Sequence, residues 1–114
     1  MNTNQINELP RLVKERGVTA AQCVNDTTAS PVMRALQAAG YAVPADVSVF
    51  GFDNSIICKH MPVKLSTVIQ PFEEIGKAAA KLIDDAVEKN LSVISQIFIP
   101  VTLKLRDSHA PPRA

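Results

Sequence analysis

Tryptophan is absent, Tyr41 is the only tyrosine, and aromatics make up 4% of the 114 residues, so a recognition surface rich in aromatic rings is excluded. Glycine is scarce at four residues. None is clustered ahead of a helix, which rules out a glycine-rich loop that cradles phosphate. No apolar run approaches the roughly 18 residues of a membrane span. The opening MNTNQ carries neither a basic patch nor an apolar stretch. No secretory signal is therefore expected, and the simplest location is the cytoplasm. An excess of one charge is also missing, with 12 Lys+Arg against 11 Asp+Glu. Without a basic stripe to displace counterions, these residues do not form a nucleic-acid interface. The two cysteines, Cys23 and Cys58, lie among apolar neighbours. They read as reduced buried thiols rather than a disulfide or redox pair.

What is present is a globular composition, 46% hydrophobic and 20% charged, which excludes disorder over most of the chain. No internal repeat or linker interrupts it. The sequence reads as one unit over residues 1–106 with 107–114 as a C-terminal tail, of which the polar, proline-bearing end 109–114 is expected to be loose.

Periodicity predicts a first helix over residues 8–16, with Asn7 as N-cap, Pro10 in the first turn and Gly17 as the stop. Its shared face is Leu9, Leu12, Val13 and Arg16. A short buried strand follows over 19–24. A second helix over 28–39 lines up Ala29, Val32, Met33, Leu36 and Ala39 at helical spacing, with Pro31 in its first turn. After a turn at 43–46, the run VSVFGF (47–52) is apolar at nearly every position, as in a parallel strand covered on both faces. A loop over 54–61 leads to a strand at 65–69. The third helix begins at Pro71, has Glu73 and Glu74 at its positive end, and ends at Asn90. Phe72, Ile75, Ala79, Leu82, Ile83 and Ala86 form its apolar face. Strands at 97–99 and 101–105 are broken by Pro100. This order predicts an α/β fold with a mainly parallel sheet flanked by helices.

Parallel sheets bind ligands at the C-terminal ends of their strands. Two polar pairs stand there, Asn25-Asp26 after the first strand and Asp53-Asn54 after the second. The Asp53 carboxylate can accept from vicinal hydroxyls or an amine. Asn25 brings one acceptor and two donors, the mixed inventory a polyhydroxylated ligand needs. The alternative for both is a turn or cap role, since Asn and Asp favour such positions. For Asp26, ahead of Thr27-Thr28, capping is the expected role. Catalysis is not expected. His60 stands near Asp53 and Cys58 in sequence, but no metal-ligand spacing or nucleophile elbow surrounds it, and no metal or cofactor is called for. Lys59, His60 and Lys64 read as a solvated loop.

Several ordered segments carry a resemblance: AQCVND (21–26), MRAL (33–36), VPADVSVFGFD (43–53), LSTV (65–68), Gln70-Pro71, Gly76 and LKLRDS (103–108). Over about residues 8–110 the sequence resembles the C-terminal part of the effector-binding domain of LacI/GalR-family transcriptional regulators. The resemblance implies a partial periplasmic-binding-protein-like (type I) sensor domain whose two lobes close on a sugar or other small metabolite. It implies Asn25 and Asp53 as effector contacts, Gln70 at the hinge between lobes, and Ser30, Met33, Ile57 and Met61 in a homodimer face. Ser30-Pro31 departs from the family's usual small apolar pair. The Val63-Lys64-Leu65 form is similar to arabinose-responsive repressors, whose sensor is joined to a winged-helix module.

The resemblance further implies that DNA is read only by a module absent from this chain, and that the helix at 71–89 and the strand at 97 belong to the other lobe. Their apolar faces then lack a partner here. At ~25 cal/mol per Å² of apolar surface, several kcal/mol are forfeited unless another chain covers them, so association through these faces is expected. A sugar-binding protein of a transport system is the alternative with the same lobes, and a small-molecule enzyme a third.

Overall fold

The computed structural model describes residues 3–89 and 95–113. The chain divides into two compact units, one comprising Met1–Ile69 with Leu103–Ala114 and the other Gln70–Thr102.

In the first unit, α1 (Thr3–Arg16), β1 (Ala20–Gln22), α2 (Asp26–Ala38) and β2 (Ser48–Phe50) alternate, followed by a 3-10 turn (Ile56–Lys59) and β3 (Thr67–Ile69). β1 and β2 are parallel, with Ala20, Ala21 and Gln22 opposite Ser48, Val49 and Phe50. On the other side of β2 a parallel bridge joins Phe50 to Ser66. There Gly51 N–H donates to Ser66 O at 3.0 Å and Asp53 N–H to Val68 O at 2.9 Å. β2 is thus the central strand, which is why its sequence is apolar on both faces. β4 (Thr102–Lys104) shares a second small sheet with β3. The predicted α/β class with parallel strands is the one observed.

The core lies under α2. Its stripe Ala29, Val32, Met33 and Leu36 is buried together with Val47 and Val49 of the β2 segment, and Ile6, Leu9 and Val13 of α1 pack onto the same cluster. Truncating a fully buried residue such as Leu36 to Ala removes about 2–5 kcal/mol.

The helix starts differ from expectation. α1 begins at Thr3 rather than residue 8, because Ile6 joins the core and draws the preceding turn into the helix. Asn7 is therefore interior and caps nothing. Pro10 falls mid-helix, where it removes a bond to the Ile6 carbonyl. Arg16 is exposed rather than part of the buried face. Gly17 ends the helix as expected, at φ 65° with its N–H on Val13 O at 3.1 Å. α2 begins at Asp26, so Pro31 lies beyond its first turn.

The loose tail is a second correction. Ser108 is fully buried. Its carbonyl accepts from Val49 N–H at 2.8 Å. Its hydroxyl accepts from Ser66 N–H at 2.8 Å and donates to Val49 O at 2.5 Å. Ala110 exchanges bonds with the Ser48 hydroxyl at 2.9 and 3.1 Å, and Arg113 pairs with Asp46 at 3.5 Å. The segment 107–113 fills the gap that opens between β2 and β3 before their ladder begins. Backbone groups that would otherwise be buried unpaired supply the reason.

In the second unit, α3 (Phe72–Lys89) follows Pro71, with Glu73 and Glu74 in its first turn as expected. Ion pairs Lys77–Glu73 at 2.9 Å and Lys81–Asp85 at 3.1 Å run along its surface. Exposed pairs of this kind contribute a few tenths of a kcal/mol. None of its described side chains is buried, and Ile83 and Val87 are 66% and 75% exposed. The expected stop at Asn90 lies outside the described residues. The strand expected at 97–99 is not formed, and Phe98 is 85% exposed. A β-prone run becomes a strand only where a partner takes up its ladder bonds. The strand expected over 101–105 shortens to Thr102–Lys104 for the same reason.

Candidate functional site

The C-terminal tips of β1 and β2 meet. Cys23 N–H donates to Phe50 O at 2.8 Å, and Asp26 N–H donates to Phe52 O at 3.0 Å. The second bond sets the chain at 25–26 directly beside the chain at 52–53, so Asn25 and Asp53 occupy neighbouring strand ends. Gln22 reinforces the junction, its Nε2 donating to Cys23 O and Gly51 O, both at 3.0 Å.

Asn25 caps α2, its Oδ1 accepting from Thr28 N–H at 2.8 Å. Among the described residues none accepts from its Nδ2, so two donors remain at the rim. Both readings of this residue, cap and donor, are compatible with the geometry. Asp53 is half-buried and has φ 110°, with Asn54 following at φ 58°. Two successive residues in the left-handed half of conformational space reverse the chain sharply after β2. Asp and Asn tolerate this better than other side chains.

Asp26 does not cap the helix as expected. Its carboxylate is buried beneath the two tips, where Oδ1 accepts from the Thr67 hydroxyl and Oδ2 from Ser55 N–H, each at 2.6 Å. A single side chain therefore ties the start of α2 to β3 and to the loop after Asp53. Gly51 is required next to it, because an added Cβ would run into Asp26 Oδ1 and lie 2.8 Å from Leu65 Cδ2. On the other flank Arg106 donates to Leu65 O at 2.9 Å and to Asn54 Oδ1 at 2.6 Å.

Thr67, Ser55, Gly51 and Arg106 were not singled out for any role at the tips in the sequence. The only signal was that Gly51, Thr67 and Arg106 fall within the GFD, LSTV and LRDS segments that carry the resemblance.

The thiols are poor nucleophiles. Burial pushes Cys23 up to about 11. Burial, then a hydrogen bond to the Asp26 carboxylate and its charge, push Cys58 up to about 11 as well. Both cysteines are free. Among the described residues no cluster of three or more His, Cys, Asp or Glu side chains is placed to hold a metal ion, and no helix is long and apolar enough to cross a membrane.

A separate groove of about 420 Å³ lies between α2 and the 3-10 turn. Ser30, Met33, Ile57 and Met61, the four residues expected in a dimer face, line it together with Arg34, Gln37, His60 and Pro62. Met33 is almost wholly buried and belongs to its floor, while the other three are half-buried. Gln70, expected at a hinge, is the first residue of the second unit, and the chain returns to the first unit at Leu103.

The profile of the periplasmic binding protein-like domain family matches residues 2–109. The HTH-type transcriptional repressor PurR of Vibrio parahaemolyticus is 38% identical over 74 residues, covering 65% of this chain and 22% of the relative. The ribose operon repressor of Haemophilus influenzae is 30% identical over 90 residues, covering 79% of this chain and 27% of the relative. The chain thus spans about a quarter of the length of these curated relatives. Among solved structures, the LacI family transcriptional regulator of Enterococcus faecium with bound ribose superposes with a TM-score of 0.75 at 30% identity, covering 95% of this chain and 40% of that one. These relatives are named as transcriptional regulators rather than enzymes.

Proposed function

This chain belongs to the periplasmic binding protein-like domain family and is similar to part of the effector domains of LacI/GalR-type regulators; from that membership we propose that it is the metabolite-sensing portion of such a regulator. The observation that carries the reading is the bond from Asp26 N–H to Phe52 O at 3.0 Å, which keeps Asn25 and Asp53 side by side at adjacent strand tips. In this reading Asp53 accepts from ligand hydroxyls and Asn25 donates through Nδ2. The effector is a sugar or a similarly hydroxylated metabolite.

The role is binding rather than catalysis, and no cofactor takes part. Residues 1–106 contribute to the effector-binding domain, and 107–113 pack with them. Gln70 is a hinge position. Ser30, Met33, Ile57 and Met61 form part of a homodimer face around the groove, and the exposed face of α3 is a further surface for association. Effector binding shifts a conformational equilibrium and so changes affinity for DNA, which is read by a separate module in the cytoplasm. The names of the relatives favour this over a transport protein with the same lobes.

The test is a titration of the ¹⁵N-labelled chain with D-ribose and with cellobiose, followed by amide chemical shifts. The reading expects saturable shifts that centre on Asn25 and Asp53 for at least one sugar. Shifts confined to other surfaces would remove these two residues from the site.

A further inference from the structure

We infer that Gln22, the last residue of β1, is a third ligand contact, accepting from a hydroxyl through Oε1. The inference rests on the reading that the strand tips bind a hydroxylated metabolite, and it adds a residue to that site.

Ala21 and Cys23 pack with the core, so Gln22 between them stands on the opposite face of the strand. It lies opposite Phe50 in the parallel register and is exposed. A long polar side chain in such a place ordinarily keeps its rotamer freedom in water. Here it bends toward the strand tips instead. Its Nε2 donates to Cys23 O and to Gly51 O, both at 3.0 Å. These carbonyls belong to the residues that follow Gln22 and Phe50 on their respective strands.

Both Nε2 hydrogens are thereby used, and by backbone groups that cannot shift without the sheet. The bonds also settle which branch of the amide is nitrogen, because an oxygen there would face two carbonyl oxygens. Oε1 is the other branch, and its direction is set by a planar group held at two points. Among the described residues none donates to it. The amide spans the rung of Cys23 and Gly51, two residues before Asn25 and Asp53 on their strands. At ~3.3 Å per residue that is a rise of roughly 7 Å, which one sugar-sized ligand can bridge.

A neutral acceptor held in this way selects by chemistry. A hydroxyl or amine can donate to Oε1, whereas a carboxylate or phosphate oxygen would meet it lone pair to lone pair. Because the amide is already ordered, little side-chain freedom is lost when a ligand arrives.

The test uses the full ¹⁵N-labelled chain, in which the Gln22 side-chain amide gives its own pair of signals. Titration with D-ribose and with cellobiose should move that pair saturably for at least one sugar. Two variants separate a ligand contact from a brace between strands. Gln22→Lys brings an ammonium that can donate to both carbonyls and has no acceptor. It should melt within a few degrees of the parent and bind the sugar roughly two- to tenfold more weakly, as expected for one lost hydrogen bond. Gln22→Met has neither donor nor acceptor, and should both bind more weakly and melt about 5 °C lower.

A residue that only braces the strands would lower the melting temperature of Gln22→Met and leave Gln22→Lys with parental affinity, and that result overturns the inference. A sugar that shifts Asn25 and Asp53 while the Gln22 pair stays in place also overturns it, with the proposed function still standing. If neither sugar shifts any of the three residues, the proposed function falls and this inference falls with it.

Discussion

Thr67, at the start of β3, donates its hydroxyl to the Asp26 carboxylate at 2.6 Å, and both side chains are almost completely buried. The bond joins two segments 41 residues apart in sequence, directly beneath the strand tips that carry Asn25 and Asp53. Thr67→Val preserves the shape and leaves the carboxylate short of one donor. It should destabilise the chain by about 1–3 kcal/mol. Asp26→Ala, which orphans both the Thr67 hydroxyl and Ser55 N–H, should cost more. Urea denaturation of the two variants checks the order.

Ser108 makes a prediction of the same kind at the opposite end of the ladder. Its hydroxyl stands between Ser66 N–H and Val49 O, at 2.8 and 2.5 Å. Ser108→Ala leaves both backbone groups buried and unpaired, and should destabilise by about 1–3 kcal/mol. A true loose tail would tolerate the change within about 0.5 kcal/mol.

Asn25 separates its two roles by substitution. Asn25→Ala removes the cap of α2 and should cost roughly 1 kcal/mol of stability. Asn25→Asp retains an accepting oxygen for Thr28 N–H and should melt within a few degrees of the parent. It lacks the Nδ2 donors, however, so any sugar bound through them should bind more weakly. Thermal melts paired with a sugar titration separate the cap from the contact.

The thiols predict an alkaline limit. Cys23 and Cys58 titrate at about 11 in the fold, against ~8.5 for a free cysteine. Because the folded value is the higher one, the folded chain binds more protons between these values. The stabilisation is complete below ~8.5 and is lost as pH rises through 11, on the order of 3 kcal/mol per thiol. Denaturation midpoints should therefore fall between pH 9 and 11. Replacing both cysteines by alanine would flatten that fall. At pH 8, alkylation should be slow in the native chain and fast in urea.

The elements that were legible in the sequence are those whose own residues decide them. VSVFGF reads as a strand covered on both faces and its centre, Ser48–Phe50, forms the central strand, while the spacing of Ala29, Val32, Met33 and Leu36 is that of a helix on a core. What was misread depends on partners distant in the chain. Asp26 looks like a cap because its neighbours Thr27 and Thr28 are local, while Thr67 and Ser55, which hold it, are remote. Residues 109–113 look loose because they are polar and carry prolines, yet Ala110 exchanges bonds with the remote Ser48 hydroxyl and Arg113 pairs with Asp46. Residues 97–99 look like a strand, but strand propensity is realised only beside another strand. At the site, spacing placed Asn25 and Asp53 at two strand ends. It held no sign that Arg106, more than 50 positions later, reaches the loop between them and the 3-10 turn.

The central claim is that Asn25 and Asp53 contact one hydroxylated ligand from neighbouring strand tips. A chimera tests it most directly, with residues 2–109 replacing the matched part of the ribose-bound Enterococcus faecium regulator and ribose affinity measured by calorimetry. The account predicts that the chimera binds ribose and that Asp53→Ala weakens binding by at least about tenfold, with folding unchanged by circular dichroism. A chimera that binds ribose equally well with and without the Asp53 carboxylate would contradict it.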